Sequence, residues 1–404
     1  MTDRGIIGPS WPHLAVISLL CILCAAGAIP NPVWAEPPTH EAQQPISPRQ
    51  AGATDTAAGL FRAQFTNPRE IMNVMLLIGG DVIQKAVLQM AGFSAVTPVV
   101  FSFGWVTYTF NSMASGGKDL PDPDHAVTVI PVAAGALPVQ NQSFLLGRLM
   151  RDLERRTRRE MESNSDGRLS GLIVSAFEID PAPRPGHDHC GPLKPCKDLI
   201  WWSFLPFLVV QLVVAAIPII LNRNWSIILI TASGNALALV GASLPTIRRN
   251  KYACRRGSNI PFILTRGMGS RYAFLILPDT VTRRQDDVDG PPKHNSLPRL
   301  DDLAYGYTKS QTSYFYSVWL CFLWVVLLIA VGGLEDDTWY LFAVGSLGMA
   351  HSVVVASTPR EPENHGIPLR KTRGTVFQFG LQPQDYPRLR VHDILLQLER
   401  EYPG

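Results

Sequence analysis

Four stretches of this chain, Leu199 to Leu221, Trp225 to Pro245, Tyr314 to Leu334 and Thr338 to Ser357, contain no Asp, Glu, Lys or Arg. A bilayer core about 30 Å thick is crossed by about 20 apolar residues in a helix that rises about 1.5 Å per residue. Each stretch is therefore long enough to span one. Trp201, Trp202, Trp225, Tyr314, Tyr316, Trp339 and Tyr340 lie near their ends, where amphipathic rings prefer the interface. Composition agrees: of 404 residues, 46% are apolar and only 17% charged, too greasy for an average soluble enzyme. The formal net charge of +3 gives the molecule no overall electrostatic footprint of a nucleic-acid binder.

The four runs form two pairs, each joined by a very short link, Asn222 to Asn224 and Glu335 to Asp337. Each pair reads as a helical hairpin, 199–245 and 314–357. The cations sit in the longer connections. Six arginines lie between Arg148 and Arg159, and Arg248, Arg249, Lys251, Arg255 and Arg256 follow the first hairpin directly. Short loops rich in Lys and Arg stay in the cytosol, so these five residues are read as determinants of topology. Both tight links then face the lumen or exterior.

The N-terminal region decides the number of spans. Arg4, the apolar run Leu14 to Ala28 and the small residues before Glu36 make 1–35 a signal peptide or signal anchor. Residues 36–67, rich in Pro, Ala, Gln and Thr, read as a flexible lumenal tail. Within 68–113, Ser94 to Met113 is apolar enough to cross, while Ile71 to Met90 carries Asp81 and Lys85 one helical turn apart. The expectation is that Ile71 to Met90 forms a helix at the interface or packed against the bundle and that Ser94 to Met113 makes the first span, five spans in all. An uncleaved N-terminus held inside makes both halves cross, and six.

The segments assigned to the cytosol, 114–198, 246–313 and 358–404, carry the signals of a small α+β module. Leu146, Leu149, Met150 and Leu153 recur at helical spacing and give an amphipathic helix with a basic polar face. That face suits acidic lipid headgroups or plain solvent. Ser170 to Ile179 reads as a strand, as does Gly374 to Gly380. Pro261 to Thr265 and Arg271 to Leu277 read as a hairpin turned by Gly267 and Gly269. Val391, Ile394, Leu395, Leu398 and Tyr402 share one face of a C-terminal helix. No loop is long enough to be a domain alone, so the module has to assemble from separate loops.

Few residues carry recognisable chemistry. His187, His189, Cys190 and Cys196 are zinc and copper ligand types, but their spacing matches no closed site and a Pro- and Gly-rich loop is the plainer reading. Arg266 to Arg271 lacks the features of a phosphate-binding loop, and Asp286 to Gly290 lacks the later glutamate of a calcium loop. There is no nucleophile elbow and no His-Glu-x-x-His pair, so no enzyme and no cofactor is expected. Within the spans, Gln211, Asn235 and His351 are the polar groups that could line a route for a solute, although bonding between helices is the commoner use. Asn141 and Asn224 begin glycosylation sequons, and the topology keeps Asn141 in the cytosol.

The blocks Phe65 to Gln89, Thr97 to Phe110, Pro181 to Asp188 and Phe262 to Leu277 resemble a family of uncharacterised multi-pass integral membrane proteins of filamentous fungi. The resemblance implies a fungal source and a membrane protein, and brings no activity, cofactor or catalytic residue. The fold expected is a membrane all-α helical bundle of about five or six transmembrane helices in hairpins, with a small cytosolic α+β module assembled from loops. The function expected is a non-enzymatic interaction, scaffold or sensing role at the endomembrane system or plasma membrane. Its expected partners are membrane lipids and a cytosolic protein. The alternative is a transporter or channel for a small neutral solute.

Overall fold

The structure is a computed structural model that describes residues 75, 78–92, 96–115, 120–132, 137–164, 173–179, 193, 197–255, 260–267, 269–277, 299–306, 311–334, 336–367 and 369–378. In chain order, α1 (Gly80–Met90) and α2 (Trp105–Ala114) precede β1 (Thr128–Pro131) and β2 (Val139–Gln140). Next come α3 (Phe144–Asn164), β3 (Ile173–Ile179), the single turn α4 (Leu199–Trp202) and α5 (Phe204–Asn222). Helices α6 (Ser226–Ala242) and α7 (Pro245–Lys251) lead to β4 (Phe262–Thr265) and β5 (Tyr272–Leu277). Helices α8 (Gln311–Gly332) and α9 (Thr338–Ser357), then β6 (Leu369–Gln378), follow.

The apolar runs become helices of one bundle. Among the described residues three are long and apolar enough to cross a membrane, Leu199–Asn222, Tyr314–Gly332 and Thr338–Ser357; a fourth is added if α6 and α7, bent by 40° at their break, count as one. Among the described residues α6 supplies much of the core, with Ile227, Ile230, Leu237 and Ala238 buried. The outer faces stay bare: Leu205, Val209 and Val213 of α5, Phe315, Phe322 and Ile329 of α8, and Val353 and Val354 of α9 are exposed. The two tight links meet at one end of the bundle, where Asn222 Nδ2 and Asn224 Nδ2 both donate to the Asp337 carboxylate, at 2.8 and 3.2 Å.

The sheet lies at the other end. Its six strands run in the order β2-β1-β4-β5-β3-β6, drawn from two connections between bundle helices and from the segment after α9, as the loop-assembled module requires. Every neighbouring pair is antiparallel except β3 with β5. Gly267 and Gly269, at φ 95° and 81°, turn the β4–β5 hairpin. On one face, Phe177, Phe262, Leu264, Phe274 and Ile276 pack against Leu145, Leu146, Leu149, Met150 and Leu153 of α3. The amphipathic stripe read from the sequence is the stripe that is buried.

One element departs from expectation. The run from Ser94 to Met113 is not a continuous helix: among its described residues the backbone runs extended from Thr97 at Ser243 to Phe101 at Asn235, turns at Phe103 and Gly104, and becomes helical only at Trp105. The chain there makes a re-entrant excursion. It leaves the sheet end beside Ser243, runs inward past Asn235 and Gln211, and returns to the sheet end as α2. At its deepest point the N-termini of α1 and α2 meet. A Cβ on Gly104 would lie 2.7 Å from Ile78 O and 2.8 Å from Gly79 C, and both glycines have positive φ, 93° and 90°. Neither position tolerates a side chain, on grounds of space and of backbone conformation.

Candidate functional site at the seam between bundle and sheet

An extended peptide buried among helices has no neighbouring strand to satisfy its N–H and C=O groups. Here side chains do so. Asn235 Oδ1 accepts from Phe101 N at 2.9 Å, and Gln211 Nε2 donates to Phe101 O at 2.7 Å. Gln211 Nε2 also donates to Val344 O at 2.9 Å and Asn235 Nδ2 to Thr231 O at 2.9 Å, so the two amides tie the extended segment to α5, α6 and α9 at once. Ser243 Oγ accepts from Thr97 N at 2.8 Å. Above this clamp, Phe101, Trp324 and Trp105 stack in series, with centroids 6.1 and 5.6 Å apart. Gln211 and Asn235, read from the sequence as candidates to line a route, are thus committed to the two sides of one residue's backbone.

At the seam the groups are charged. Helix C-termini present unpaired carbonyls and a partial negative charge, and three buried cations meet them. Arg148 Nη1 donates to Ala356 O at 2.8 Å, at the end of α9. Lys251 Nζ donates to Ala91 O at 2.6 Å, just past α1. Arg360 Nη1 donates to Gln89 O, while its other nitrogens form a bidentate pair with Asp198, both contacts at 2.7 Å. Asp198 also caps α4 by accepting from Trp201 N at 2.9 Å. Arg148 Nη2 and Lys85 Nζ share Asp124, at 2.7 and 2.8 Å. Lys85 therefore pairs across to the β1 connection, not with Asp81, which is exposed on the first turn of α1.

Behind these pairs, His365 Nε2 lies 3.1 Å from Asp152 Oδ2, Arg151 Nε donates to Asp152 Oδ1 at 2.8 Å, and Tyr252 OH donates to His365 O at 2.9 Å. Burial pushes the His365 imidazole down to about 4, against the pull of Asp152. A neutral imidazole that donates from Nε2–H to a carboxylate satisfies both partners. Burial opposes the charge on Asp152, but the His365 hydrogen bond and Arg151 hold its carboxyl below the usual range. Burial likewise lowers the Lys251 ammonium well below its ordinary value, with Arg360 adding to the effect.

The five topology cations divide. Lys251 is buried as described; Arg255 forms a bidentate pair with Asp302 at 2.9 Å for each contact; Arg249 is exposed and Arg248 partly buried. Arg256 lies outside the described residues. So do His187, His189, Cys190 and Cys196, the signal-like segment 1–35, the tail 36–67 and the C-terminal helix. Among the described residues no group of three His, Cys, Asp or Glu is placed to hold a metal ion. His351 Nε2 lies 2.9 Å from Ser203 Oγ, joining α9 to the start of α5. The seam itself was missed in the sequence. Its one visible trace is that Asp198, Lys251 and Arg360 lie within a few residues of the ends of the apolar runs. Compared with models of protein families, with curated proteins and with solved structures, the chain matches none.

Proposed function

We propose that this chain is a multi-pass integral membrane protein that holds its α+β module rigidly against the cytosolic face of a membrane, and that it acts by interaction, as a scaffold or sensor, not by catalysis. The observation that carries the reading is the seam: Arg148, Lys251 and Arg360, all buried, fasten helix ends of the bundle to the chain that builds the sheet. The bare apolar faces of α5, α8 and α9 support immersion in lipid. The resemblance to multi-pass proteins of filamentous fungi points the same way.

In this reading the hairpins cross as Leu199–Asn222, Ser226–Ala242, Tyr314–Gly332 and Thr338–Ser357, and α7 lies beyond the second crossing. The excursion from Thr97 to Ser115 enters and leaves on the sheet side and adds no crossing. Four crossings then remain among the described residues, without the expected first span over Ser94 to Met113. The test is proximity labelling from the C-terminus combined with protease treatment of intact cells. Labelled cytosolic proteins and a protected tract around Lys251 are expected; cleavage there from outside overturns the topology.

A second reading, a transporter or channel for a small neutral solute, draws on two observations. Discontinuous helices whose N-termini meet inside a bundle are a recurring feature of transporters. Asp81 is exposed on the turn next to Gly79, which packs on Met349 halfway along α9. Purified protein in vesicles decides between the readings: solute flux above that of empty vesicles favours transport, and its absence favours the scaffold.

A further inference from the structure

We infer that the groove between α3 and the chain just past α9 is a binding site for the phosphomonoester headgroup of an anionic membrane lipid. The inference rests on the membrane reading above and deepens it. The groove encloses about 370 Å³, and Arg155, Arg156 and Arg159 of α3 face Asp198, Arg360 and Glu361 across it. That volume falls at the small end of ligand sites.

The charges in the groove are unevenly matched. Asp198 is taken by Arg360, and Asp152 by His365 and Arg151. Glu160 is held by Lys371 and by Arg156, which also reaches Glu361 at 3.5 Å. Arg155 and Arg159, both exposed and one helical turn apart, make no ion pair among the described residues. Two guanidiniums therefore remain for a ligand, and the planar fork of arginine suits bidentate contact with phosphate oxygens.

Position selects the source of that phosphate. Asp198 immediately precedes Leu199 and Pro359 follows Ser357 by two residues, so the groove opens where one proposed span begins and another ends. Beside it, Leu199 and Trp202 are exposed and Lys197 Nζ sits 4.7 Å from the Trp201 ring centre. This is the belt in which headgroups and aromatic anchors lie. A phosphate there belongs to a lipid whose acyl chains run along α5.

The test uses the purified full-length protein and dioctanoyl phosphatidylinositol bisphosphate as probe, with the deacylated headgroup, inorganic phosphate and dioctanoyl phosphatidylcholine as the other arms. The acylated phosphoinositide is expected to bind at least about tenfold more tightly than the other three. The double variant Arg155→Gln, Arg159→Gln is expected to weaken it about tenfold or more. Arg158→Gln, on the same helix and paired with Glu162, is expected to change it less than about twofold. Because Arg155 and Arg159 are exposed, folding of the double variant is checked by an unchanged melting temperature. Wild-type affinity in that variant overturns the site, and equal binding of the deacylated headgroup overturns its assignment to lipid. Release of the chain from membranes at alkaline pH would instead remove the membrane reading itself.

Discussion

The inside of the bundle and its seam with the sheet solve the same problem with opposite chemistry. Both must satisfy backbone groups that ordinary secondary structure leaves unpaired. In the bundle, where the surroundings are apolar, neutral amides hold one extended peptide, Asn235 on Phe101 N and Gln211 on Phe101 O. At the seam, helix C-termini are held by basic side chains, Arg148, Lys251 and Arg360, with Asp124 and Asp198 as counterions of the two guanidiniums. An amide costs less to desolvate than an ion, so amides serve at depth and ions at the margin. The contrast predicts that the seam responds to pH and to loss of single charges, whereas the interior responds to shape and to loss of hydrogen bonds.

The largest expected effect is at Arg360. Its alanine variant leaves Asp198 without its cation and Gln89 O without its donor, and removing one member of a buried pair costs about 3–5 kcal/mol. Thermal unfolding of the detergent-purified protein should show this, and Arg360→Lys, which keeps the charge and loses the bidentate geometry, should recover only part of it. A full recovery by lysine would make the seam a matter of charge alone. Gly348→Ala tests the interior by shape. A Cβ there would collide with Phe101 O and lie 2.8 Å from Gln211 Nε2, and forced overpacking of this kind costs about 3 kcal/mol. Wild-type stability in this variant would show that the extended segment is free to move.

The two regions were unequally legible in the sequence. The hairpins could be read because charge-free runs of span length have few other uses, and the α3 stripe and the β4–β5 turn followed from period and from Gly267 and Gly269. The re-entrant segment could not. Thr97 to Phe110 is free of charge and largely apolar, and periodicity does not distinguish a buried extended run from a buried helix; Pro98 and Gly104 were the only breaks. β1 and β2 are four and two residues long, too short to carry an alternation. The seam was hidden for another reason. Its acceptors are the main-chain carbonyls of Gln89, Ala91 and Ala356, which no side-chain pattern announces, so Lys251 reads from the sequence only as a topology signal, whereas the structure buries it against Ala91 O just past α1.

Acid should loosen the seam before the interior. The folded-state pKa of His365, about 4, lies below its ordinary 6.5, so the unfolded chain takes up the proton first as pH falls. The contribution is complete above about pH 6.5 and drains away as pH falls toward 4, a loss on the order of 3 kcal/mol. Asp152, whose carboxyl is also lowered, adds a further loss below the ordinary aspartate range. His365→Gln keeps a donor for Asp152 and removes this titration, so its stability should fall less steeply than wild type between pH 6.5 and 4, the remaining slope coming from groups such as His125, whose imidazole burial also lowers. A slope unchanged from wild type would place the acid sensitivity elsewhere.

The smallest effects belong to the amide clamp. Asn235→Ala leaves Phe101 N–H unpaired and Gln211→Ala leaves Phe101 O unpaired, each a loss of about 1–3 kcal/mol for a buried group without a partner. Because both side chains fix one residue, their losses should not add. Once either amide is gone Phe101 can shift, and the second removal should cost less than it does alone, a coupling of about 0.5–3 kcal/mol in a double-mutant cycle. Neither single variant should alter the pH dependence, since neither touches His365 or Asp152. Strict additivity would mean that the stacked Phe101, Trp324 and Trp105 rings hold the segment without the amides. The depth of the excursion would then be set by aromatic packing, and the contrast with the seam would reduce to apolar against ionic contact.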